Sequence, residues 1–291
     1  MGQTAPAGKI YFLNTGMSDC LLLESAGHYA LIDAAEDTEY PKNKPYLKYR
    51  GYEREVVDFL LRHCRGENGR VTLDFVLGTH AHSDHLGGFD TVALCEEIDI
   101  RQAYLRPYDA RRVFVMERVC WDNQEVYDEA VGAFRQRGVP ICDDFDGRRV
   151  TLGEMALTFL YCGTHNRTRL AYGENVQSVV TLLEAGGARA ALVGDMNYKA
   201  GDERRLAPQI GKVDLLKVGH HGTVGSTSAR LLRTLCPEVA VVTNKRLGVF
   251  PDVWLKLRHY CREIYTTVEA DGVCVEFSGD GTLRVTTGIM G

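Results

Sequence analysis

A cluster of metal-binding residue types that directly follows a strand-like stretch is the feature that most restricts what this chain can fold into. His80, His82, Asp84 and His85 lie within six residues, after the apolar stretch Leu73–Leu77. In an extended or turning loop, alternate side chains point the same way, so His80 and His82 can hold one cation. Asp84 and His85 can then turn towards a second cation. Imidazole nitrogens and a carboxylate suit zinc, and also manganese or iron.

Three further strand-like stretches end in an acid or a histidine. Asp195 follows one apolar stretch, the pair His220 and His221 follows another, and Asp33 ends a third. A site along one edge of a sheet needs such residues at the carboxyl ends of several strands. Taken singly, Asp33 and Asp195 could instead cap a helix or form a turn. Together with the histidine cluster, they predict a site for two cations.

Composition and charge exclude several classes of protein. The 291 residues are 45% hydrophobic and 25% charged, which is typical of a soluble globular protein. The net charge of −5 argues against long duplex nucleic acid as a partner, because that ligand needs many Lys and Arg contacts. The sequence contains neither an apolar stretch of membrane-spanning length nor a secretion signal at its start. The nine cysteines include no C-x-x-C pair and are predicted to be reduced thiols. We therefore expect a cytoplasmic protein without a membrane partner.

The order of predicted elements favours one layered α/β domain over residues 1–291. Strand-like stretches such as Leu73–Leu77 and Ile98–Leu105 alternate with helix-like ones such as Glu117–Arg137, without repeats or linkers. The segment Glu36–Tyr52 mixes Pro, Tyr and Lys and is predicted to be a lid or a substrate loop. Its aromatic and basic side chains could stack nucleobases or surround a choline-like cation, or could simply form a solvated loop.

The order of the candidate ligands resembles that of the metallo-β-lactamase superfamily. Asp33 comes first, the histidine cluster follows, and Asp195 and the His220–His221 pair each come after a later strand. Two groups in that superfamily look similar. The hydrolase-like domain of competence DNA-uptake proteins is similar in Gly16–Asp19, in Asn175 with Ser178, and in His220–Gly222. The catalytic domain of phosphorylcholine esterases is similar in Tyr104–Tyr108, Trp121–Asn123 and Gly211–Lys217.

The resemblance implies a four-layer αβ/βα sandwich, in which two mixed β-sheets are flanked by helices. It also implies two divalent metal ions, which we expect to be zinc, with manganese or iron as alternatives. The first ion would have as ligands His80 and His82. The second ion would have as ligands Asp84, His85 and His221, and Asp195 would bridge the two ions.

Catalytic roles in this resemblance fall to Asp84, Asp33 and His220. Asp33 would orient a ligand histidine, which is the usual way in which a tautomer and a ring angle are fixed. Spacing alone leaves open whether His220 or His221 is the ligand. We favour His221, with His220 donating to the substrate phosphate.

The sequence departs from the superfamily pattern at the first ion. The third histidine expected before the strand Ser178–Leu183 is absent, and Asn175 stands near that place. An asparagine can offer a carbonyl oxygen, which is a weaker ligand than imidazole, or can hold a water. His165 in the preceding loop is an alternative ligand. Whether one ion or two bind therefore stays open.

Further contacts to a substrate phosphate are predicted around the histidine pair. Lys217 lies three residues before it, and Thr223 and Ser226 follow it in a glycine-containing loop. The loop leads into a predicted helix, Ser228–Leu235, whose free N–H groups could bind an oxyanion. The same residues could equally serve only to cap that helix.

These observations predict a metal-dependent hydrolase that acts on ester bonds, with a phosphodiesterase as the leading hypothesis. Its substrate would be a phosphate ester of a small molecule or of a short nucleotide chain. Examples are a nucleotide, an oligonucleotide and a phosphorylcholine-like ester. Hydrolysis of a lactone, thioester or lactam is the first alternative. A binding or sensor domain with weak catalysis is an alternative of another class, and Asn175 is the residue that supports it. A di-iron oxidase is a further alternative that metal analysis would distinguish.

Overall fold

The computed structural model of the chain describes residues 6–37, 46, 49–164 and 173–291. Its helices are α1 Glu53–His63, α2 Ser83–Leu86, α3 Phe89–Leu94, α4 Val115–Cys120, α5 Asn123–Gln136, α6 Asp202–Ile210, α7 Ala229–Leu235 and α8 Pro251–Tyr260. Its strands are β1 Gly8–Phe12, β2 Leu21–Ser25, β3 His28–Ile32, β4 Val71–Leu73, β5 Phe75–Gly78, β6 Ile98–Ile100, β7 Ala103–Leu105, β8 Ile141–Cys142, β9 Arg149–Leu152, β10 Met155–Tyr161, β11 Val179–Ala185, β12 Ala188–Leu192, β13 Leu215–Lys217, β14 Val239–Val242, β15 Glu263–Thr266, β16 Val273–Phe277 and β17 Leu283–Thr287.

The strands form two large mixed sheets and one small one. The first sheet has the order β17-β16-β1-β2-β3-β5-β7-β8, and the second has the order β15-β14-β13-β12-β11-β10-β9. In the first sheet β3, β5, β7 and β8 run parallel, and in the second sheet β12 to β15 do so. Parallel neighbours end at the same edge of a sheet, so residues that follow β3, β5, β12 and β13 collect at two such edges.

Burial along the strands explains why the sheets stack. Met155–Tyr161 alternates buried and half-buried residues, as a strand with one face in a core does. Side chains from both sheets, such as Phe12 and Phe159, form one core between them. Helices α1, α3 and α5 cover the outer face of the first sheet, and α6, α7 and α8 cover that of the second. The layers are therefore helix, sheet, sheet, helix.

The structure corrects two predicted strands and one predicted helix. Leu73–Leu77 is not one strand, because the chain passes at Asp74 from β4, in the small sheet with β6, to β5 in the first sheet. The chain joins the first sheet at Asp74, whose N–H donates to the carbonyl of Tyr29 in β3 at 2.8 Å. Ile98–Leu105 divides in the same way into β6 and β7. The predicted helix Glu117–Arg137 is likewise two helices, α4 and α5.

The predicted lid is only partly within the described residues. Tyr46, Tyr49, Arg50 and Tyr52 are described, whereas Tyr40, Lys42, Lys44 and Lys48 lie outside the described residues. Among the helices that the structure describes, none has the length and apolar character needed to span a bilayer.

Candidate metal centre

The candidate ligands gather where strand ends of the two sheets meet. Asp33 follows β3 and the histidine cluster follows β5, both in the first sheet. Asp195 follows β12 and the pair His220–His221 follows β13, both in the second sheet. The predicted site along strand ends is therefore formed jointly by both sheets.

The structure brings six of the predicted residues into two groups of ligand atoms. The first cluster consists of His80, His82 and Asp195, and the second cluster consists of Asp84, His85 and His221. Within each cluster, the candidate ligand atoms lie within 4.8 Å of one another.

Atoms of the two clusters approach each other closely. His80 Nε2 lies 3.0 Å from His82 Nδ1 in the first cluster, and His85 Nε2 lies 3.2 Å from His221 Nε2 in the second. Asp195 connects them, because its Oδ1 lies 3.3 Å from His85 Nε2 and its Oδ2 lies 3.9 Å from His80 Nε2.

In the second cluster, buried carboxylates contact the far nitrogen of each ring. Asp33 Oδ2 lies 2.7 Å from His85 Nδ1, and Thr79 donates to Asp33 through both its N–H and its hydroxyl, at 2.8 Å each. Asp19 Oδ1 lies 3.3 Å from His221 Nδ1, and Thr243 Oγ1 donates to Asp19 at 2.6 Å. Such contacts fix the tautomer that presents Nε2 to a metal.

In the first cluster, the two rings have different supports. His80 Nδ1 lies 3.1 Å from Thr79 Oγ1, so its Nε2 faces the cluster. His82 has the opposite arrangement, because its Nδ1 faces the cluster and its Nε2 donates to Glu117 Oε1 at 2.9 Å. In each candidate ligand histidine, one ring nitrogen thus faces the other ligand atoms, and the second ring nitrogen contacts a supporting side chain.

The electrostatic balance of the site favours positive charge near the second cluster. Burial lowers the pKa of His80, and the imidazoles of His85 and His82 lower it further, so His80 is held neutral. Burial also opposes a charge on His221, but Asp195 and Asp19 outweigh it and raise the pKa of His221 to about 9. Protons or bound cations can supply the positive charge that these carboxylates stabilise.

Backbone strain accompanies three of the site residues. Asp33, His220 and His221 have φ values of 57°, 49° and 48°, in the left-handed region that non-glycine residues rarely adopt. Each such residue costs on the order of 1–3 kcal/mol, and surrounding contacts must hold it there. For His221 one such contact is Asn244, whose side chain donates to the His221 carbonyl at 3.0 Å.

Two buried oxygen atoms support the fit of a cation to this site. No described group donates a hydrogen bond to Asp195 Oδ1 or to Asn175 Oδ1, although both atoms are buried. A buried oxygen without a donor is costly unless a cation or water satisfies it. The donor set of imidazole nitrogens with carboxylate and amide oxygens suits a divalent metal ion.

The site opens into a cavity of about 460 Å³. Its lining includes seven of the predicted residues: His82, Asp84, Asn175, Asp195, His220, His221 and Thr223. Tyr49 and Trp121 line it as well, with ring centroids 6.2 Å apart and planes inclined by 17°. The cavity therefore opens on both the ligand groups and an aromatic wall formed by Tyr49 and Trp121.

Several predicted substrate contacts lie elsewhere. Lys217 is 1% exposed, pairs with Asp19 and donates to the carbonyl of Gly194 at 3.0 Å. Its ammonium therefore contacts the buried support of the site and does not line the cavity. Ser226 is also buried and donates to the carbonyl of Thr223 at 2.9 Å. The predicted phosphate contacts of Lys217 and Ser226 are wrong, because both side chains are buried and hydrogen-bonded within the protein.

Two other candidates have different outcomes. Ser228 caps α7 by accepting from the N–H of Leu231 at 3.2 Å, which is the capping interpretation of this loop. His165, the alternative ligand, lies outside the described residues.

Sequence reasoning missed several residues that hold the ligands. Asp19 was visible only as part of a glycine-containing motif before a strand, and nothing local assigned it to His221. Glu117, Thr79 and Thr243 carried no signal, because a carboxylate on a helix or a threonine at a strand end is common. Only the tertiary structure brings them to the ligand rings.

Sequence comparison finds longer bacterial proteins that are similar to this chain over part of their length. No family model matches the chain. It is similar to Recombination protein 2 of Haemophilus influenzae, with 28% identity over 211 residues that cover 66% of this chain and 26% of that protein. It is also similar to ComE operon protein 3 of Bacillus subtilis, with 24% identity over 243 residues, which are 81% of this chain and 28% of that protein. The chain thus spans about a quarter of the length of these relatives.

Solved structures share the architecture. The metallo-β-lactamase fold protein YhfI from Bacillus subtilis aligns with a TM-score of 0.55 at 12% identity, covering 96% of this chain and 99% of its own. The chain has the metallo-β-lactamase fold. Zn²⁺-bound PqqB from Methylobacterium extorquens is also similar, with a TM-score of 0.51 at 15% identity, covering 91% of this chain and 86% of its own. The predicted four-layer architecture with two mixed sheets is therefore confirmed.

In the metallo-β-lactamase fold of this chain, the strand ends carry His/Asp groups that could hold metal ions. The first cluster has two imidazoles and the shared carboxylate of Asp195, and Asn175 lines the same cavity as His82 and Asp195. Its Nδ2 is 3.0 Å from His220 Nε2, and that nitrogen is 3.6 Å from Asp195 Oδ2.

Proposed function

We propose that the protein is a hydrolase that uses two divalent metal ions to cleave phosphate esters, phosphodiesters above all. The observation that carries this proposal is the pair of His/Asp clusters that meet at Asp195 beside a cavity. Bound divalent cations would supply hydroxide at neutral pH and neutralise charge on phosphate oxygens. Zinc is the metal we propose, with manganese or iron as alternatives, because imidazole nitrogens dominate the donor set.

Each cluster would hold one ion. His80 and His82 would bind the first ion through Nε2 and Nδ1, the nitrogens that face each other at 3.0 Å. Asn175 would complete that site through Oδ1, the buried oxygen that accepts no hydrogen bond from a described group. The second ion would take the second cluster, and Asp195 would serve both.

His220 is suited to contact substrate, while His221 is suited to bind metal. His221 is 1% exposed and its Nε2 lies 3.2 Å from Asp84 Oδ2. The side chain of His220 is 29% exposed and lines the cavity. Its Nε2 accepts from Asn175 Nδ2 at 3.0 Å, so the proton of the neutral ring is on Nδ1. We assign His220 the role of donating a hydrogen bond to a substrate oxygen.

The cavity favours a phosphodiester with a planar or cationic organic group. Tyr49 and Trp121 present nearly parallel rings beside the ligand groups, and Glu36 lines the same cavity. Parallel aromatic faces stack nucleobases or attract a choline-like cation. A nucleotide, a short oligonucleotide or a phosphorylcholine-like ester would meet these requirements. The name of the Haemophilus relative, a recombination protein, favours the nucleic-acid members of this set.

The test combines metal analysis with two reporter substrates. The purified chain would be assayed with zinc or manganese restored, using bis-p-nitrophenyl phosphate and p-nitrophenyl phosphorylcholine. Asp195→Ala removes the shared ligand, and Asp128→Ala removes an exposed carboxylate of α5 as a matched control. We expect about two metal ions per chain and cleavage that Asp195→Ala abolishes and Asp128→Ala preserves.

Other outcomes would redirect or end the proposal. Bound metal with cleavage of lactone or thioester substrates only would support the first alternative. Bound metal without any cleavage would support a sensor domain, and bound iron with oxygen uptake would indicate an oxidase. A chain that binds no metal would contradict the proposal at its basis.

A further inference from the structure

Glu117 is the residue of the site for which neither sequence pattern nor strand topology gives a role. It lies in α4, and its carboxylate oxygen Oε1 accepts three hydrogen bonds from three separate segments. The donors are His82 Nε2 at 2.9 Å, the N–H of Glu174 at 2.9 Å and Asn123 Nδ2 at 3.1 Å. One oxygen therefore connects the histidine loop, the turn Glu174–Gln177 and the start of α5.

The bond to His82 determines how that ring meets the first cluster. A neutral imidazole has one N–H and one lone pair. Because Nε2 donates to Glu117, the lone pair of His82 is on Nδ1, which lies 3.0 Å from His80 Nε2. The carboxylate of Glu117 therefore selects the His82 tautomer that turns a lone pair towards the first cluster.

The bond to Glu174 extends this support to Asn175. The turn Glu174–Gln177 carries Asn175, whose amide contacts His220. Gly173 makes room for the carboxylate, since a Cβ at that position would lie 2.5 Å from Glu117 Oε2. The same carboxylate therefore fixes a ligand histidine and the turn that carries the residue in place of a third histidine.

Packing does not explain why α4 lies here. None of the residues of α4 is buried, and Val115, Met116 and Val119 are each more than half exposed. Glu117 is the inward-facing exception, with its side chain 15% exposed. The contacts of its carboxylate are therefore a principal attachment of this helix to the site.

We propose that Glu117 is a positioning residue that presents Nδ1 of His82 to the first metal ion and holds the Asn175 turn against the same ion. The proposal rests on the proposed two-metal function. It gives the first cluster, which lacks a third imidazole, a carboxylate that compensates by fixing the ligands that remain.

The test measures the affinity of each cluster for Zn²⁺ by competition with a chromophoric chelator, and the visible absorption of the Co²⁺-loaded protein. Glu117→Ala removes the acceptor, and Glu117→Gln retains one acceptor oxygen. Glu129→Gln, at an exposed position of α5, is the matched control. Loss of an orienting partner typically weakens metal binding about 10- to 100-fold.

We expect Glu117→Ala to weaken one of the two Zn²⁺ sites by about 10- to 100-fold and to shift the Co²⁺ bands of that site. Glu117→Gln should recover most of the affinity, and Glu129→Gln should match the unmodified chain. Double substitution with His82→Ala, which removes the first site, identifies the affected site, because Glu117→Ala should then leave the affinity of the remaining site unchanged.

Three results would overturn this proposal. The first is Zn²⁺ affinity in Glu117→Ala within about twofold of the unmodified chain at both sites. The second is an equal loss at both sites, which would mean that Glu117 acts on the fold as a whole. The third is a loss of affinity at the remaining second site when Glu117→Ala is added to His82→Ala. An unmodified chain that binds no metal would instead overturn the proposed function itself.

Discussion

The second cluster is supported from inside the protein, and the first is supported partly from its surface. His85 is held by Asp33, which is fully buried and accepts from both the N–H and the hydroxyl of Thr79. His221 is held by Asp19, which pairs with the buried ammonium of Lys217. These supports lie at strand ends, so moving them would disturb the sheets.

One ligand of the first cluster, His82, lacks a buried support of this kind. His82 depends on Glu117, and the helix that carries Glu117 buries none of its residues. In the proposed site, the neutral amide of Asn175 is a ligand of the first ion in place of a third imidazole. Segments with little buried apolar surface open locally at low cost in free energy. We therefore expect the second cluster to bind its ion more tightly than the first.

The expected difference in metal affinity between the two clusters is tested most directly by removing one ligand from each cluster. His221→Ala should release the second ion and reduce turnover by about 10³-fold or more, since a metal ion contributes several kcal/mol to the transition state. His82→Ala should release the first ion and leave the second bound. Metal content after dialysis, measured together with turnover, checks both. Retention of the first ion alone in His82→Ala would reverse the order of affinities.

His220→Ala separates substrate contact from metal binding. The exposed ring lines the cavity, so its loss should leave both ions in place and lower kcat by about 10²-fold, as removal of a hydrogen-bond donor to a developing charge does. Elemental analysis of the variant and its kcat with bis-p-nitrophenyl phosphate check this. Equal loss of metal from the His220→Ala and His221→Ala variants would show that His220 is a ligand.

The sequence could predict the inward side of the site because that side follows from strand ends. Asp33, Asp195 and the histidine cluster each come directly after an apolar stretch, and parallel strands end at one edge. Local pattern therefore placed these side chains together, and the αβ/βα architecture is confirmed. The sequence also placed Lys217 near the histidines, but a position three residues away says nothing about whether a side chain faces a cavity or a buried carboxylate.

The contact between Glu117 and His82, which supports the first cluster, could not be predicted from the sequence, and the reason is physical. Glu117 reaches His82 across 35 positions of sequence, from a short helix that buries none of its residues. The break between α4 and α5 at Trp121 and Asp122 was also invisible, because charged residues of good helix propensity lie on both sides. Such contacts depend on how separate segments dock, and no periodicity records that.

Asp33→Asn should affect the second cluster both with and without metal. Asparagine cannot accept all three donors that surround Asp33, so we expect about 1–3 kcal/mol less free energy of unfolding in the metal-free protein. We also expect about 10- to 100-fold weaker binding of the second ion. Urea unfolding with chelator present and Zn²⁺ competition measure the two effects. Glu117→Gln provides the comparison, since a side chain on an exposed helix should change the unfolding free energy much less. Equal destabilisation by the two substitutions would contradict the difference between the clusters.

The smallest expected effect concerns the aromatic wall beside the first cluster. Trp121 is 42% exposed and faces Tyr49, so Trp121→Leu should leave both metal ions and kcat unchanged. Loss of one aromatic contact is worth about 0.5–1.5 kcal/mol, which corresponds to a KM increase of about 2- to 13-fold for substrates with an aromatic or cationic group. Trp254→Leu is the matched control, because Trp254 packs under Arg246 and does not line the cavity. A fall in metal content in Trp121→Leu would mean that the outer wall also holds the first cluster together, because the junction of α4 and α5 would then transmit its packing to Glu117.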